Sequence, residues 1–160
     1  MRFAMKIVGI AMAIASGVLL AASADDVAKN RINFMEDEIG AEWKVLAAFS
    51  KGKGSLADVE KSAMTLSNLA KKIPPHFPKD TGRGKVPDHL TRALPEIWTD
   101  PQGFQKATQN FAEQSAKLAA VAKAGDKDAV LDIIGTKGYN AAKIGCGECH
   151  QHFRGERVKK

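Results

Sequence analysis

The chain has 160 residues, and its 24 lysines and arginines against 18 aspartates and glutamates give a formal net charge of +6. This balance is only mildly basic, and the lysines are spread over every segment without interleaved aromatic residues, which argues against nucleic-acid binding. The length suits one domain with one hydrophobic core and leaves no room for a second domain.

The N-terminal segment has the pattern of a secretory signal peptide. A short basic stretch precedes a nearly apolar run from Ile7 to Ala21, and Ala22-Ser23-Ala24 has small residues at the spacing of a cleavage site. The apolar run, about 15 residues, is shorter than the ~20 that span a bilayer, which favours cleavage over an uncleaved anchor. We predict a signal peptide over residues 1–24 and a mature domain over residues 25–160, located in the periplasm and without a membrane span.

Two amphipathic helices are expected at the start of the mature chain. Apolar residues recur at steps of three or four over residues 26–50 and again over residues 55–73, which is the spacing of one helical face. Ser55 is the expected N-cap of the second helix, and Pro74 ends it. The short glycine-containing turn between the two stripes implies an antiparallel pair.

The remaining chain is expected to form a loop and two further helices. Residues 74–99 lose the helical period and gather prolines and glycines, which indicates a long crossover loop. Asp100 and Pro101 predict the start of a third helix that ends near Gly125. A fourth helix is expected over residues 126–155, although several glycines weaken it by roughly a kcal/mol each. The predicted fold is therefore all-α: an antiparallel four-helix bundle with a long crossover loop between helices 2 and 3.

The most specific motif is Cys146-Gly147-Glu148-Cys149-His150, which has the Cys-x-x-Cys-His spacing of c-type haem attachment. Two thiols three residues apart lie on one face of a helix, where each can add across a haem vinyl group. His150 is then placed as an axial imidazole ligand of the iron. We predict haem c as the cofactor, attached through Cys146 and Cys149 and ligated by His150.

Other chemistries of the two cysteines fit less well. Exported proteins with two cysteines more often form a disulfide, and Cys-x-x-Cys also occurs in thiol-exchange proteins, but there it opens a helix in a βαβ context that this chain lacks. A zinc site would need further ligands, and His150 and His152 do not match the usual finger spacings. His152 points about 200° away from His150 around the helix and is expected to face solvent. His76 and His89 are expected to be surface groups of the loop.

Enzyme motifs are not found in the sequence. It contains no glycine-rich phosphate loop, no nucleophile elbow and no paired-carboxylate motif. We therefore expect a haem protein that is not an enzyme.

The order of these features resembles the class II c-type cytochromes, which carry the haem motif at the C-terminal end of a four-helix bundle. Three local patterns support the resemblance: Arg31-x-x-x-Met35, Pro95-Glu96-Ile97-Trp98 and Cys146-x-x-Cys149-His150-x-x-Phe153-Arg154. The family contains high-spin cytochromes c′, whose iron lacks a protein ligand on the distal side and takes up small gases. It also contains low-spin members such as cytochrome c-556, in which a methionine of the first helix closes that side.

The resemblance places Met35 at the distal position and so makes it decisive for function. A methionine ligand there implies an electron carrier with His/Met axial ligation that serves periplasmic redox partner proteins. The alternative is a high-spin cytochrome c′ that binds nitric oxide or carbon monoxide. Met35 is then an ordinary core residue on the apolar face of the first helix and does not bind the iron. Similar cytochromes c′ carry methionine here without ligation, so the residue type alone does not decide between the two.

Other residues have expected supporting roles. The resemblance places Arg31 near a haem propionate. Arg154, one helical turn after His150, is expected either near the proximal imidazole or facing solvent, and its position does not decide between the two. Trp98 is expected to pin the crossover loop on the bundle. A homodimer through helices 1 and 2 would resemble many family members, but the charged outer faces of these helices leave it undecided.

Overall fold

The fold is given by a computed structural model that describes residues 22–158. Most of the predicted signal peptide, residues 1–21, lies outside this range. The helices are α1 (Ala24–Asn33), a π-helical segment (Phe34–Ile39), α2 (Gly40–Phe49), α3 (Leu56–Ala70), 3-10 turns at Pro74–His76 and Asp88–Leu90, α4 (Glu96–Thr99), α5 (Pro101–Lys123), α6 (Lys127–Ile134) and α7 (Cys146–Phe153). None of these helices has both the length and the hydrophobicity that a bilayer span requires.

The predicted first helix is confirmed, with an internal irregularity that the sequence did not reveal. The segment Phe34–Ile39 is π-helical, and the N–H of Gly40 donates to the carbonyl of Met35 five residues back. The flanking residues Asn33 and Gly40 keep right-handed helical backbone angles, so α1, the π-helical segment and α2 form one continuous helix. A π-helical turn contains one more residue than an α-helical turn. Compared with a regular α-helix, the side chains before the segment are therefore rotated by about 100° relative to those after it.

The second helix is also confirmed, as α3. The Ser55 hydroxyl accepts from the Asp58 N–H at 3.2 Å, and the Asp58 carboxylate accepts from the Ser55 N–H at 2.9 Å. This reciprocal pair satisfies two backbone donors at the helix start. The chain turns between α2 and α3 at Gly52 and Gly54, which have φ values of +77° and +86°. A short turn with two glycines is therefore enough to pack α3 back against α2.

The crossover loop lies where it was predicted and is well anchored. It contains two 3-10 turns and ends in the short helix α4. The indole N–H of Trp98 donates to the carbonyl of Phe77 at 3.0 Å, and its ring lies so near Gly82 that a Cβ there would collide with it. Trp98 thus pins the loop, as the sequence indicated.

The long helix α5 contacts most other parts of the bundle. Asp100 caps it by accepting from the Gly103 N–H at 2.9 Å, and Pro101 occupies the first turn, as predicted. α5 packs along α3 and also contacts α4, α6 and α7. The largest fully buried side chains of the resulting core are Leu46, Val59, Leu66, Ser115, Leu118, Val130, Ile134 and Ile144.

The prediction of one continuous fourth helix over residues 126–155 is wrong. The structure has two helices, α6 and α7, separated by the irregular segment 135–145. Gly135, Gly138 and Gly145 adopt φ values of +66°, +86° and +95°, which a continuing right-handed helix cannot contain. Gly145 also lies against α5, where a Cβ would be 3.2 Å from the Cα of Phe111. The glycines therefore end one helix and allow α7 to begin separately at Cys146.

Two truncations in α3 test this packing. Leu66 is 1% exposed and Met64 is 54% exposed. Leu66→Ala should lower the free energy of unfolding by ~2–5 kcal/mol because it leaves a cavity, whereas Met64→Ala should change it by less than about 0.5 kcal/mol. Guanidinium denaturation of the haem-loaded variants, followed by circular dichroism, measures both. Equal losses at the two positions would contradict the orientation of α3.

Candidate functional site

The two cysteines lie in the first turn of α7 and face the protein interior. Both side chains are half-buried and pack against the main apolar core. Gly145, directly before Cys146, has left-handed backbone angles and so sets where the helix starts. Because Cys146 and Cys149 are three residues apart within α7, their side chains lie on one face of this helix, which agrees with the sequence prediction.

Their environment disfavours thiol-exchange chemistry. Burial raises the pKa of Cys146 to about 12, and the neighbouring Cys149 adds to this shift. Burial likewise raises the pKa of Cys149 to about 11. Exchange-active cysteines have a lowered pKa because the thiolate is the nucleophile. These two groups are instead neutral S–H groups at pH 7, the form whose addition across a vinyl group gives a thioether.

His150 is oriented by a hydrogen bond from its ring. Its Nδ1 lies 3.0 Å from Oδ1 of Asn140, and Nη2 of Arg154 lies 3.4 Å from the same oxygen. Because a guanidinium only donates, the Asn140 atom that faces it must be the carbonyl oxygen. That oxygen then accepts from His150 Nδ1–H, which leaves the Nε2 lone pair available to a metal.

The surroundings of His150 keep the imidazole neutral. Burial, followed by the positive charges of Arg154 and Arg92, lowers the pKa of His150 to about 4. The neutral ring is the form that ligates iron. Tyr139 packs edge-on to His150 with ring centroids 5.4 Å apart, and also to Trp43 of α2 at 6.2 Å. Arg154 lies near the imidazole, which is one of the two placements that the sequence left open.

Arg31 is buried, with 4% of its surface exposed. Its Nη2 donates to the Thr81 carbonyl at 2.6 Å and to the Thr91 hydroxyl at 2.7 Å, and its Nη1 donates to the Thr81 hydroxyl at 3.0 Å and the His76 carbonyl at 3.4 Å. Burial lowers its pKa to about 10. All these acceptors are neutral, and no carboxylate among the described residues forms a salt bridge with Arg31. A buried cation of this kind fits a nearby anionic haem propionate.

Met35 lies in the π-helical segment, half-buried against the apolar core. Met64, the other methionine among residues 22–158, is on the surface. The next residue, Glu36, accepts a salt bridge from Arg157 at 2.9 Å. This contact ties the chain that follows α7 to the part of the first helix that carries Met35.

The remaining histidines differ from one another. His89 and His152 are exposed, as expected. His76 is only half-exposed, because its ring stacks on Phe34 with centroids 3.9 Å apart at an interplanar angle of 15°. The expectation of a surface His76 is therefore only partly right: its ring packs on the first helix next to Met35.

The contacts of Asn140, Tyr139, Thr81 and Thr91 were not found by sequence reasoning. Asn140 is ten residues from His150 in the chain, a spacing with no helical or strand relationship, and the two threonines are hydroxyls within a loop. The glycines around Asn140 were the available signal, since they argued against a regular helix at that point.

A four-helix bundle whose last helix presents two interior thiols and an adjacent neutral histidine has the architecture of a class II c-type cytochrome. The sequence profile of the cytochrome c′ family matches residues 26–154, and the chain belongs to this family. Its membership confirms the predicted family and the predicted cofactor, haem c with its iron.

Individual relatives agree with this assignment. The chain is 31% identical over 156 residues to cytochrome c′ of Rhodopseudomonas palustris, covering 96% of this chain and 98% of that protein. It is 30% identical over 148 residues to cytochrome c-556 of the same organism, covering 88% and 93%. A solved nitric oxide complex of a cytochrome c′ variant from Alcaligenes xylosoxidans superposes with a TM-score of 0.66 at 25% identity, covering 84% of this chain and 98% of that one. The predicted helical-bundle fold is thereby confirmed.

Alkylation of the haem-free protein tests the burial of the two thiols. With a pKa of about 11–12, only a small fraction of each thiol is thiolate at pH 8. This fraction rises about tenfold for each unit by which the pH increases toward the pKa. Iodoacetamide should therefore react at least ~100-fold more slowly at pH 8 with the native chain than with the same chain in concentrated guanidinium. Mass spectrometry over a pH series measures the rates, and similar rates in the two states would contradict the buried placement.

Proposed function

We propose that the protein is a gas-binding cytochrome c′ that holds one haem c and binds nitric oxide or carbon monoxide on the distal side of the iron. The observation that carries this proposal is the match to the cytochrome c′ family over residues 26–154. One solved relative is itself a nitric oxide complex. These findings favour the alternative that the sequence left open over the electron carrier with His/Met ligation.

The residues of α7 would attach the cofactor. Cys146 and Cys149 form the two thioethers, and His150 provides Nε2 as the proximal ligand, held by the hydrogen bond from its Nδ1 to Asn140. When bound, haem c supplies one iron that changes oxidation state and accepts a small axial ligand. The apolar core against which both sulfurs pack keeps water away from the attachment side.

Met35 would line the distal side without binding the iron. Its thioether is half-buried among apolar groups, and such a wall suits an uncharged diatomic gas better than water or an anion, which would lose hydration. The charged neighbour Glu36 is turned outward to Arg157 and does not enter this wall.

Electron transfer with Met35 as sixth ligand is the second candidate. The similarity to cytochrome c-556 over 88% of the chain favours it. Both functions use the same attachment residues and differ in one bond, between the Met35 sulfur and the iron. Export to the periplasm, redox partner proteins and the homodimer stay predictions from the sequence.

The visible spectrum of the purified haem protein, with and without carbon monoxide, decides between the two functions. A cytochrome c′ should give a broad high-spin spectrum that shifts on addition of carbon monoxide, because the distal position is free. Met35→Leu should leave that spectrum high-spin. Two results together would refute the gas-binding proposal and establish the electron carrier. The wild-type protein would show sharp low-spin bands that do not change on addition of carbon monoxide, and the bands of Met35→Leu would change.

Arg31 would offset the charge of a haem propionate, and its removal should lower the reduction potential. A buried cation near the haem favours the reduced state, so Arg31→Gln should lower the potential by roughly 60 mV, which is about 1.4 kcal/mol for one electron. Arg31→Lys is the matched control because it keeps the positive charge but lacks the planar guanidinium that donates hydrogen bonds to the loop. Redox titration measures both, and equal shifts in the two variants would mean that Arg31 acts only by holding the loop.

A further inference from the structure

Asn140 lies in the irregular segment between α6 and α7 and meets two functional side chains at once. Its Oδ1 is 3.0 Å from His150 Nδ1 and 3.4 Å from Arg154 Nη2. One amide oxygen is thus shared between the His150 imidazole and a guanidinium one turn further along α7. This contact depends on the break in the fourth helix, because a continuous helix would not fold residue 140 back onto residue 150.

The backbone around Asn140 is built for this close approach. A Cβ on Gly147 would collide with the carbonyl oxygen of Asn140, so only glycine allows the segment to lie this near α7. On the α6 side, the N–H of Lys143 donates to the Ile133 carbonyl at 2.9 Å, and the Lys143 ammonium bonds Asp132 at 2.6 Å. The segment is therefore fastened to both helices that it joins.

We propose that Asn140 is the positioning residue of His150: its oxygen fixes the Nδ1–H tautomer and sets how strongly the imidazole donates to iron, and Arg154 moderates that bond by sharing the oxygen. This inference rests on the proposed function only in taking His150 as the proximal ligand. The reduction potentials test it whichever distal ligation is found, and the Fe–His frequency tests it where the ferrous iron is five-coordinate.

The physical basis is the strength of the acceptor at Nδ1. A stronger acceptor draws the Nδ1 proton away from the ring, makes the imidazole more basic and favours ferric iron. A neutral amide is a weaker acceptor than a carboxylate. Because Arg154 polarises the same oxygen, less of its electron density remains for His150, and the ring stays close to a plain neutral imidazole.

The orientation of Arg154 is itself constrained. Its Nη1 lies 3.3 Å from the Tyr139 hydroxyl oxygen, and its guanidinium carbon lies 5.4 Å from the centre of the Tyr139 ring. Tyr139 and Asn140 are adjacent in the chain, so one short piece of backbone places both the hydroxyl and the amide that Arg154 contacts. Arg154 therefore reaches His150 through the Asn140 oxygen, in addition to the effect of its positive charge on the imidazole.

Two nearly isosteric substitutions at Asn140 should shift the reduction potential of the iron in opposite directions. Asn140→Asp provides a charged acceptor, and we expect a lower reduction potential and a higher ferrous Fe–His stretching frequency. Asn140→Leu removes the acceptor, and we expect a higher potential and a lower frequency. Redox titration and resonance Raman spectroscopy of the haem-loaded variants measure these shifts. Shifts in the same direction, or none, would overturn the proposal.

A matched variant separates the hydrogen bond from simple charge. Gln151 is the exposed neighbour of His150, and Gln151→Glu adds one negative charge without an acceptor at Nδ1. It should lower the potential less than Asn140→Asp and leave the Fe–His frequency unchanged. If Gln151→Glu reproduced both effects of Asn140→Asp, charge alone would explain them and the proposed role of Asn140 would be wrong.

A double substitution tests whether the effect of Arg154 on the reduction potential depends on Asn140. Arg154→Leu should lower the potential in the wild-type background, because Asn140 then accepts from His150 alone. The same change should have a smaller effect in the Asn140→Leu background. Equal effects in the two backgrounds would show that Arg154 acts independently of Asn140.

His150→Gly separates a failure of this inference from a failure of the proposed ligation. Loss of the wild-type spectrum in His150→Gly, together with no opposite shifts in the Asn140 pair, would remove only the role of Asn140. An unchanged spectrum in His150→Gly would show that His150 does not bind iron, and both proposals would fall.

Discussion

The packing of α7 against α5 is the constraint on which the haem site depends. α7 has only eight residues, and a helix of this length is not stable by itself in water. Its C-terminal Phe153 packs edge-on to Phe104 of α5 with centroids 5.3 Å apart, and Phe104 packs in the same way on Phe77 of the crossover loop at 5.0 Å. The helix that carries both thiols and the histidine is thus held by aromatic contacts at one end.

Its other end is held by backbone contacts. Gly145 lies against the backbone of Phe111, so the first turn of α7 sits directly on α5. At the C-terminal end, the N–H of Leu94 in the loop donates to the Phe153 carbonyl at 3.1 Å and adds to the aromatic contacts there. Because both ends of α7 are fastened to the bundle, the orientation of its reactive side chains is set by the bundle and not by the motif itself.

A buried charge connects the first helix with the crossover loop. Arg31 makes four hydrogen bonds to loop oxygens and lies 4.8 Å from the Phe77 ring. Such a charge is costly to bury without a counter-ion, so its retention here is consistent with the negative propionates of a haem. The same loop contacts α5 and α7, which places Arg31, the loop and the attachment helix in one connected structure. Arg31 therefore holds the loop in place in addition to carrying the charge that we propose to lie near a propionate.

The sequence by itself determined the helices with regular apolar stripes and the attachment chemistry. The stripes, Ser55, Asp100 and the prolines marked the first three bundle helices to within a few residues, since capping and periodicity are local properties of the chain. The Cys-x-x-Cys-His spacing identified the cofactor for the same reason: the required geometry lies within one helical turn. Tertiary structure alone decided the π segment at Met35, the split of the fourth helix, the burial of Arg31 and the contact between Asn140 and His150. Each of these depends on groups brought together from distant parts of the chain, which no local pattern records.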